Sequence, residues 1–275
     1  MELVLPTRAD AFSASVARAY LRNFTLEFKI IPFTAAERAA LADRRILGKL
    51  LDARTRPAFL NHFGPLLAEA VNGLWSVAGS RWPMAGERRR IVELGCGSGT
   101  CSILFGLLGA QVAALDQDPV LVSAARRRMR FYQSAMAGGR RSGDGLDVTF
   151  ERADAFEFDY SRLAPIDGVY SLFAFNLMQP SSRLLDTITP HLAPDARFVI
   201  SDGNRDGLYN RLFRARRCMS PRQVEQALEE RWQHVSSLSE RFHAPVPPAV
   251  LRLAERTGLS RWLGVSYTLV AAKGR

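Results

Sequence analysis

The chain has 275 residues, a formal net charge of +10 and 47% hydrophobic residues, enough apolar material to bury a full core as one large domain or a domain with an added lobe. Its longest apolar run, around 103–110, is stopped by Gln111 and is too short to span a bilayer, and Glu2, Arg8 and Asp10 break up the amino end, so neither a membrane span nor a signal peptide is expected. Three cysteines, Cys96, Cys101 and Cys218, are odd in number and show no metal-ligand spacing with histidines, which points to a reducing cytoplasm and to no metal site.

The first 85 residues read as helices. Phe12, Val16, Tyr20, Phe24 and Phe28 recur at helical spacing over 11–28, and Thr34-Ala-Ala-Glu37 is a capping box that opens a second helix. A third starts near Pro57 and carries Phe59, Phe63, Leu66, Leu67, Ala70 and Leu74 toward Trp75. A helical lobe over 1–85 and an α/β domain over 86–275 are the expected division.

Next comes Ile91-Val92-Glu93-Leu94-Gly95-Cys96-Gly97-Ser98-Gly99-Thr100, an apolar strand, a glycine turn and a helix start in one run. Alternate glycines let the chain turn without Cβ atoms and let a ligand approach the backbone. The pattern is G-x-G-x-G, and a dinucleotide site would want its third glycine one position later. A second strand, 111–115, delivers Asp116 twenty-one residues after Gly95, the spacing at which a carboxylate reaches ribose hydroxyls. Glu93 adds negative charge where a pyrophosphate would be unwelcome and a cationic ligand would not.

The rest alternates strand and helix. Asp118-Pro119 opens a helix toward Ala135, and 137–144 is a loop rich in glycine and arginine. Strands are predicted over 147–152, 168–173 and 197–201, with a helix over 182–191. Ser220-Pro221-Arg222-Gln223 starts another helix, and 233–238 with 265–272 form a closing strand pair.

The glycine turn, Asp116 at the end of the next strand and Ala153-Asp154-Ala155-Phe156 after a third together resemble the class I S-adenosylmethionine-dependent methyltransferases, over roughly residues 88–204. The resemblance implies a Rossmann-like, doubly wound seven-stranded sheet whose last strand runs antiparallel, with the amino-terminal helices as a lid over an acceptor pocket. It implies that Gly95, Gly97 and Gly99 make room for the methionine part of the cofactor and that Glu93 supports its ammonium end. Asp116 would take the ribose, Gln117 flank the adenine, and Asp154 with Phe156 hold the adenine edge and face. Cys96, Ala155 and Phe173 fall within the same cofactor site. Tyr20, Phe24, Phe175 and Asn176 are the expected acceptor contacts, with Phe173 beside them.

The segment after the fourth strand, 172–180, lacks the Asn-Pro-Pro-aromatic signature of amine methylation on nucleic acid and the Pro-Cys nucleophile of cytosine-C5 enzymes. The four histidines, His62, His191, His234 and His243, single out no catalytic base. The expected reaction is methyl transfer to a small, apolar or aromatic metabolite. RNA or protein methylation, or a non-catalytic partner role, are the alternatives. Arg88-Arg89-Arg90, Arg126-Arg127-Arg128 and the group Arg214, Arg216 and Arg217 are read as solvated faces or strand flanks, the alternative being a polyanion-binding rim. The oligomeric state is left open.

Overall fold

In a computed structural model the described residues are 3–6, 12–43, 48–75, 88–138, 146–207, 219–229, 232, 234–241, 257, 259, 264 and 266–273. Four helices lead: α1 (Ala14–Ile30), α2 (Ala35–Asp43), the short α3 (Gly48–Leu51) and α4 (Arg56–Trp75). The Ser13 side chain caps α1 by accepting the Val16 N–H. At α2 the predicted capping box forms. The Thr34 N–H donates to Glu37 Oε2 at 2.7 Å and the Glu37 N–H to Thr34 Oγ1 at 3.2 Å. Pro65 lies inside α4, an interruption the apolar spacing overrides.

The α/β part runs β1 (Arg90–Leu94), α5 (Thr100–Leu107), β2 (Gln111–Asp116), α6 (Pro119–Gly138), β3 (Val148–Arg152), β4 (Ile166–Leu172), α7 (Ser181–Ile188), β5 (Leu192–Gly203), α8 (Pro221–Glu229), β6 (His234–Arg241) and β7 (Ser266–Ala272). Among the described residues the sheet has seven strands in the order β3-β2-β1-β4-β5-β7-β6. Strands β3 to β5 are mutually parallel, and β7 pairs antiparallel with both β5 and β6. The chain winds outward from β1 to β3, then crosses to β4 on the other side of β1. This reversal opens a crevice at the carboxyl ends of β1 and β4, where open α/β sheets bind ligands.

The amino-terminal helices share a core with the sheet. A Cβ on Gly73 of α4 would lie 2.7 Å from a Val270 methyl, so helix and sheet touch at glycine distance there. Trp75 packs on Phe105 at 5.7 Å. Helix α6 is tied down by three consecutive arginines for which a solvated face is expected from the sequence. Arg126 donates twice to the Phe150 carbonyl, Arg127 pairs with the nearly buried Glu37 of α2, and Arg128, 1% exposed, pairs with Glu27 of α1. Burial alone would raise the Glu37 carboxyl; hydrogen bonds from Ser123, Thr34 and Arg127 outweigh it and hold the group below the usual carboxylate range. The first arginine run is engaged too. Arg88 pairs with Asp147, Arg89 donates to the Leu74 carbonyl and Arg90 to the Ala164 carbonyl. The expectation of solvated faces therefore fails for Arg128 and in part for its neighbours, because each meets an acceptor remote in sequence. The group Arg214, Arg216 and Arg217 lies outside the described residues, as do Cys218 and His243.

Candidate active site

The turn after β1 is held from β2: the N–H groups of Gly95 and Cys96 both donate to the Leu115 carbonyl, at 2.8 and 2.9 Å. One Asp116 oxygen accepts the Gly97 N–H at 2.7 Å and the other the Asp118 N–H at 2.9 Å. Each carboxylate oxygen keeps capacity for a further donor, as ribose hydroxyls would require. All three glycines have left-handed φ, 71°, 54° and 75° in order, but they serve different ends. A Cβ on Gly95 would strike Ala174 at 2.3 Å, and one on Gly99 would strike the Phe150 ring at 2.5 Å. A Cβ on Gly97 would meet no described atom within 4 Å. Gly97 alone faces open space.

That space is a cleft of about 420 Å³. One side is acidic, with Glu93, Asp116, Asp118 and Asp154, and no basic side chain belongs to the described lining. The other side is apolar, built by Phe59, Phe63 and Leu67 of α4, Leu21 of α1, and Phe173, Leu177 and Met178 after β4. Phe59 and Phe63 stack at 4.3 Å, and Phe63 meets Phe173 at 5.6 Å. Phe173 is the one described non-glycine residue with positive φ, 54°, a costly conformation of the kind that clusters at functional sites.

Burial pushes the Glu93 carboxyl up to about 8; hydrogen bonds from Ser102 oppose the rise and the charge of Asp116 adds to it. Asp202, buried at the end of β5, is raised to about 7 by desolvation, against hydrogen bonds from the Asn176 and Gly203 N–H groups. Asp154 accepts the Phe156 N–H at 2.9 Å, and the Arg183 guanidinium covers the Phe156 ring at 5.4 Å from its centroid.

Of the residues expected at the cofactor, Glu93, Gly95, Cys96, Gly97, Asp116, Gln117, Asp154, Ala155, Phe156 and Phe173 all line the cleft, and Gly99 is turned into the packing beneath it. The expected acceptor contacts lie elsewhere. Tyr20 donates to the Thr100 carbonyl at 2.7 Å, Phe24 sits under the Arg128 guanidinium, and Phe175 is in the core against Phe198. Asn176 gives its backbone N–H to Asp202. Helix α1 presents Leu21 to the cleft instead, and α4 supplies the aromatic wall. The stripe Phe59, Phe63, Leu67 at i, i+4, i+8 was the available signal for that wall.

An open α/β sheet with an acidic, glycine-lined crevice at its switch point defines a nucleotide-type ligand site suited to a cationic group rather than to phosphate. The chain belongs to the methyltransferase-domain family, whose match covers residues 59–259. It is 32% identical over 139 residues to a demethylmenaquinone methyltransferase of Clavibacter sepedonicus, covering 50% of each chain. It is 27% identical over 169 residues to a 2-phytyl-1,4-naphtoquinone methyltransferase of Synechococcus elongatus, covering 60% of this chain and 64% of that protein. The chain thus spans between half and two thirds of the length of these curated relatives. In fold it is similar to the plantazolicin methyltransferase BpumL, solved in complex with SAH, with a TM-score of 0.53 and 15% identity over 95% of this chain and 98% of that one.

Proposed function

We propose that this protein is an S-adenosylmethionine-dependent methyltransferase acting on a small, uncharged, apolar or aromatic metabolite. The observation that carries the reading is the two-sided cleft: a glycine with open space at its Cα, an acidic wall on one side and an aromatic wall on the other. The names of the quinone-modifying relatives support an aromatic acceptor. Engagement of both described arginine runs within the fold weighs against a polyanion rim. Among the described residues no helix is long and apolar enough to cross a membrane.

S-adenosylmethionine supplies a methyl group already activated on a sulfonium sulfur. The protein's tasks are therefore binding, orientation and exclusion of water, and orientation alone is worth roughly 7–11 kcal/mol of a barrier. Glu93 would face the ammonium end and Asp116 the ribose hydroxyls. Gln117, Asp154, Ala155 and Phe156 would enclose the adenine, while Cys96 and the Gly95–Gly97 backbone line the space between. Phe59, Phe63, Leu67, Phe173 and Leu177 would hold the acceptor flat and dry, with α1 and α4 as the lid.

Isothermal titration of the wild type and of Asp116→Ala with S-adenosylmethionine and SAH tests this. Micromolar binding that Asp116→Ala loses, followed by methyl transfer to reduced naphthoquinones or similar aromatics, is the expected result. A folded wild type that binds neither ligand overturns the enzyme reading.

A further inference from the structure

Behind the glycine turn, on the side away from the cleft, lies a buried polar cluster that methyl transfer itself does not call for. Arg128 of α6 is 1% exposed and does not line the cleft. Its guanidinium is shared between two elements. Nε donates to Glu27 Oε2 on α1, while Nη1 donates to the Ser98 carbonyl at 2.7 Å, to Ser98 Oγ at 3.3 Å and to Thr100 Oγ1 at 2.8 Å. Both Ser98 and Thr100 line the cleft. The other Glu27 oxygen accepts the Tyr132 hydroxyl at 2.6 Å, and Tyr132 in turn receives Asn23 of α1 at 3.2 Å. Tyr20 of α1 closes the circuit by donating to the Thr100 carbonyl at 2.7 Å.

We infer that Glu27 and Arg128 are positioning residues that hold the cofactor turn in its binding geometry and tie it to α1. The inference rests on the cofactor reading above. Three glycines in five residues make Gly95–Gly99 the most permissive stretch of the site, so its path has to be imposed from outside. Asp116 fixes it from the cleft side through Gly97. Arg128 fixes it from the other side, and only a planar fork can satisfy Glu27 and the turn together. A turn released from this fork is competent for only part of the time, and the apparent affinity falls by that fraction. Because the same fork grips α1, lid and cofactor site are ordered together.

Arg128→Lys separates the two halves of the role. An ammonium can still pair with Glu27, but as a point charge it cannot also span Ser98 and Thr100. Replacing both partners, Glu27→Leu with Arg128→Met, removes the charges while filling the space, a change that buried pairs often tolerate. Both variants are measured for melting temperature, for SAH affinity by titration, and for amide exchange of Gly97 and Gly99 without ligand. The expected result is a folded variant whose SAH Kd is at least tenfold weaker and whose Gly97 and Gly99 amides exchange at least tenfold faster, with β1 and β4 amides unchanged. A folded variant with Kd and turn exchange within twofold of wild type overturns the inference, as does unfolding of both variants, which would make the pair purely structural. A wild type that binds no SAH, together with faster turn exchange in Arg128→Lys, would instead sink the cofactor reading and leave the positioning role standing.

Discussion

Replacing Gly97 by alanine is expected to abolish cofactor binding in a folded protein, whereas the same change at Gly99 should unfold the protein more readily for a different reason. Both positions have left-handed φ, so each pays about 1–2 kcal/mol for placing a Cβ there. At Gly97 nothing more is added, since the new methyl points into the cleft and meets no described atom within 4 Å. At Gly99 it would sit 2.5 Å from Phe150 Cζ and 3.0 Å from Ala125 Cβ, and the Phe150 ring is itself buried and cannot swing away. Overpacking of that kind costs roughly a further 1–3 kcal/mol. For a chain of this size that difference corresponds to about 2–12 °C in melting temperature. Thermal melts of the two variants should therefore rank Gly99→Ala below Gly97→Ala, while SAH titration should show no measurable binding to Gly97→Ala at concentrations that saturate wild type. A Gly97→Ala protein that binds SAH within twofold of wild type, or a Gly99→Ala protein as stable as Gly97→Ala, would refute this division of labour.

Glu93 and the aromatic wall give further tests. Because the folded-state pKa of Glu93 is raised to about 8, the folded protein holds a proton that the unfolded chain releases, and stability falls as pH rises from the unfolded value, near 4.5, toward 8. Glu93→Gln removes this dependence, so in unliganded melts its stability should gain on wild type by up to about 1.4 kcal/mol per pH unit across that window; a difference that stays constant from pH 5 to 8 would contradict the buried, protonated carboxyl. An ammonium group facing Glu93 favours the ionised form, so S-adenosylmethionine titrations at pH 7 in buffers of different ionisation enthalpy should show proton release by wild type that Glu93→Gln lacks. Phe63→Leu trims the ring between Phe59 and Phe173. It should raise the acceptor KM several-fold while leaving the SAH Kd within twofold, and a matching loss of SAH affinity would show that Phe63 belongs to the cofactor side.

Much of the site was legible because its signals are local. A turn that needs positive φ shows as glycines, a capping box as Thr34 and Glu37 or Ser220 and Gln223, and a strand-end carboxylate as Asp116 at a fixed distance from the turn. The second box forms as expected, with the Ser220 N–H donating to Gln223 Oε1 at 3.0 Å. The doubly wound sheet and its antiparallel last strand are implied by the resemblance and stand in the structure, whereas the strand order is read from the fold. Element ends moved more: β5 extends over Leu192–Gly203 where only 197–201 was expected, since its pairing with β4 and β7 sustains a strand beyond its most apolar stretch.

Which side of an element faces what is settled only by packing. Tyr20, Phe24, Phe59 and Phe63 share one helical, aromatic character in sequence, yet α4 turns the last two to the cleft while α1 spends the first two on the turn and on Arg128. Arg128 is indistinguishable from Arg126 and Arg127 along the chain, and it is buried because Glu27, 101 residues earlier, comes to meet it. Periodicity and turn chemistry are properties of neighbouring residues and survive in a linear reading. Partners across such separations exist only once the elements have packed, so the ligand turn is legible along the chain while the wall that faces it and the charge that holds it are not.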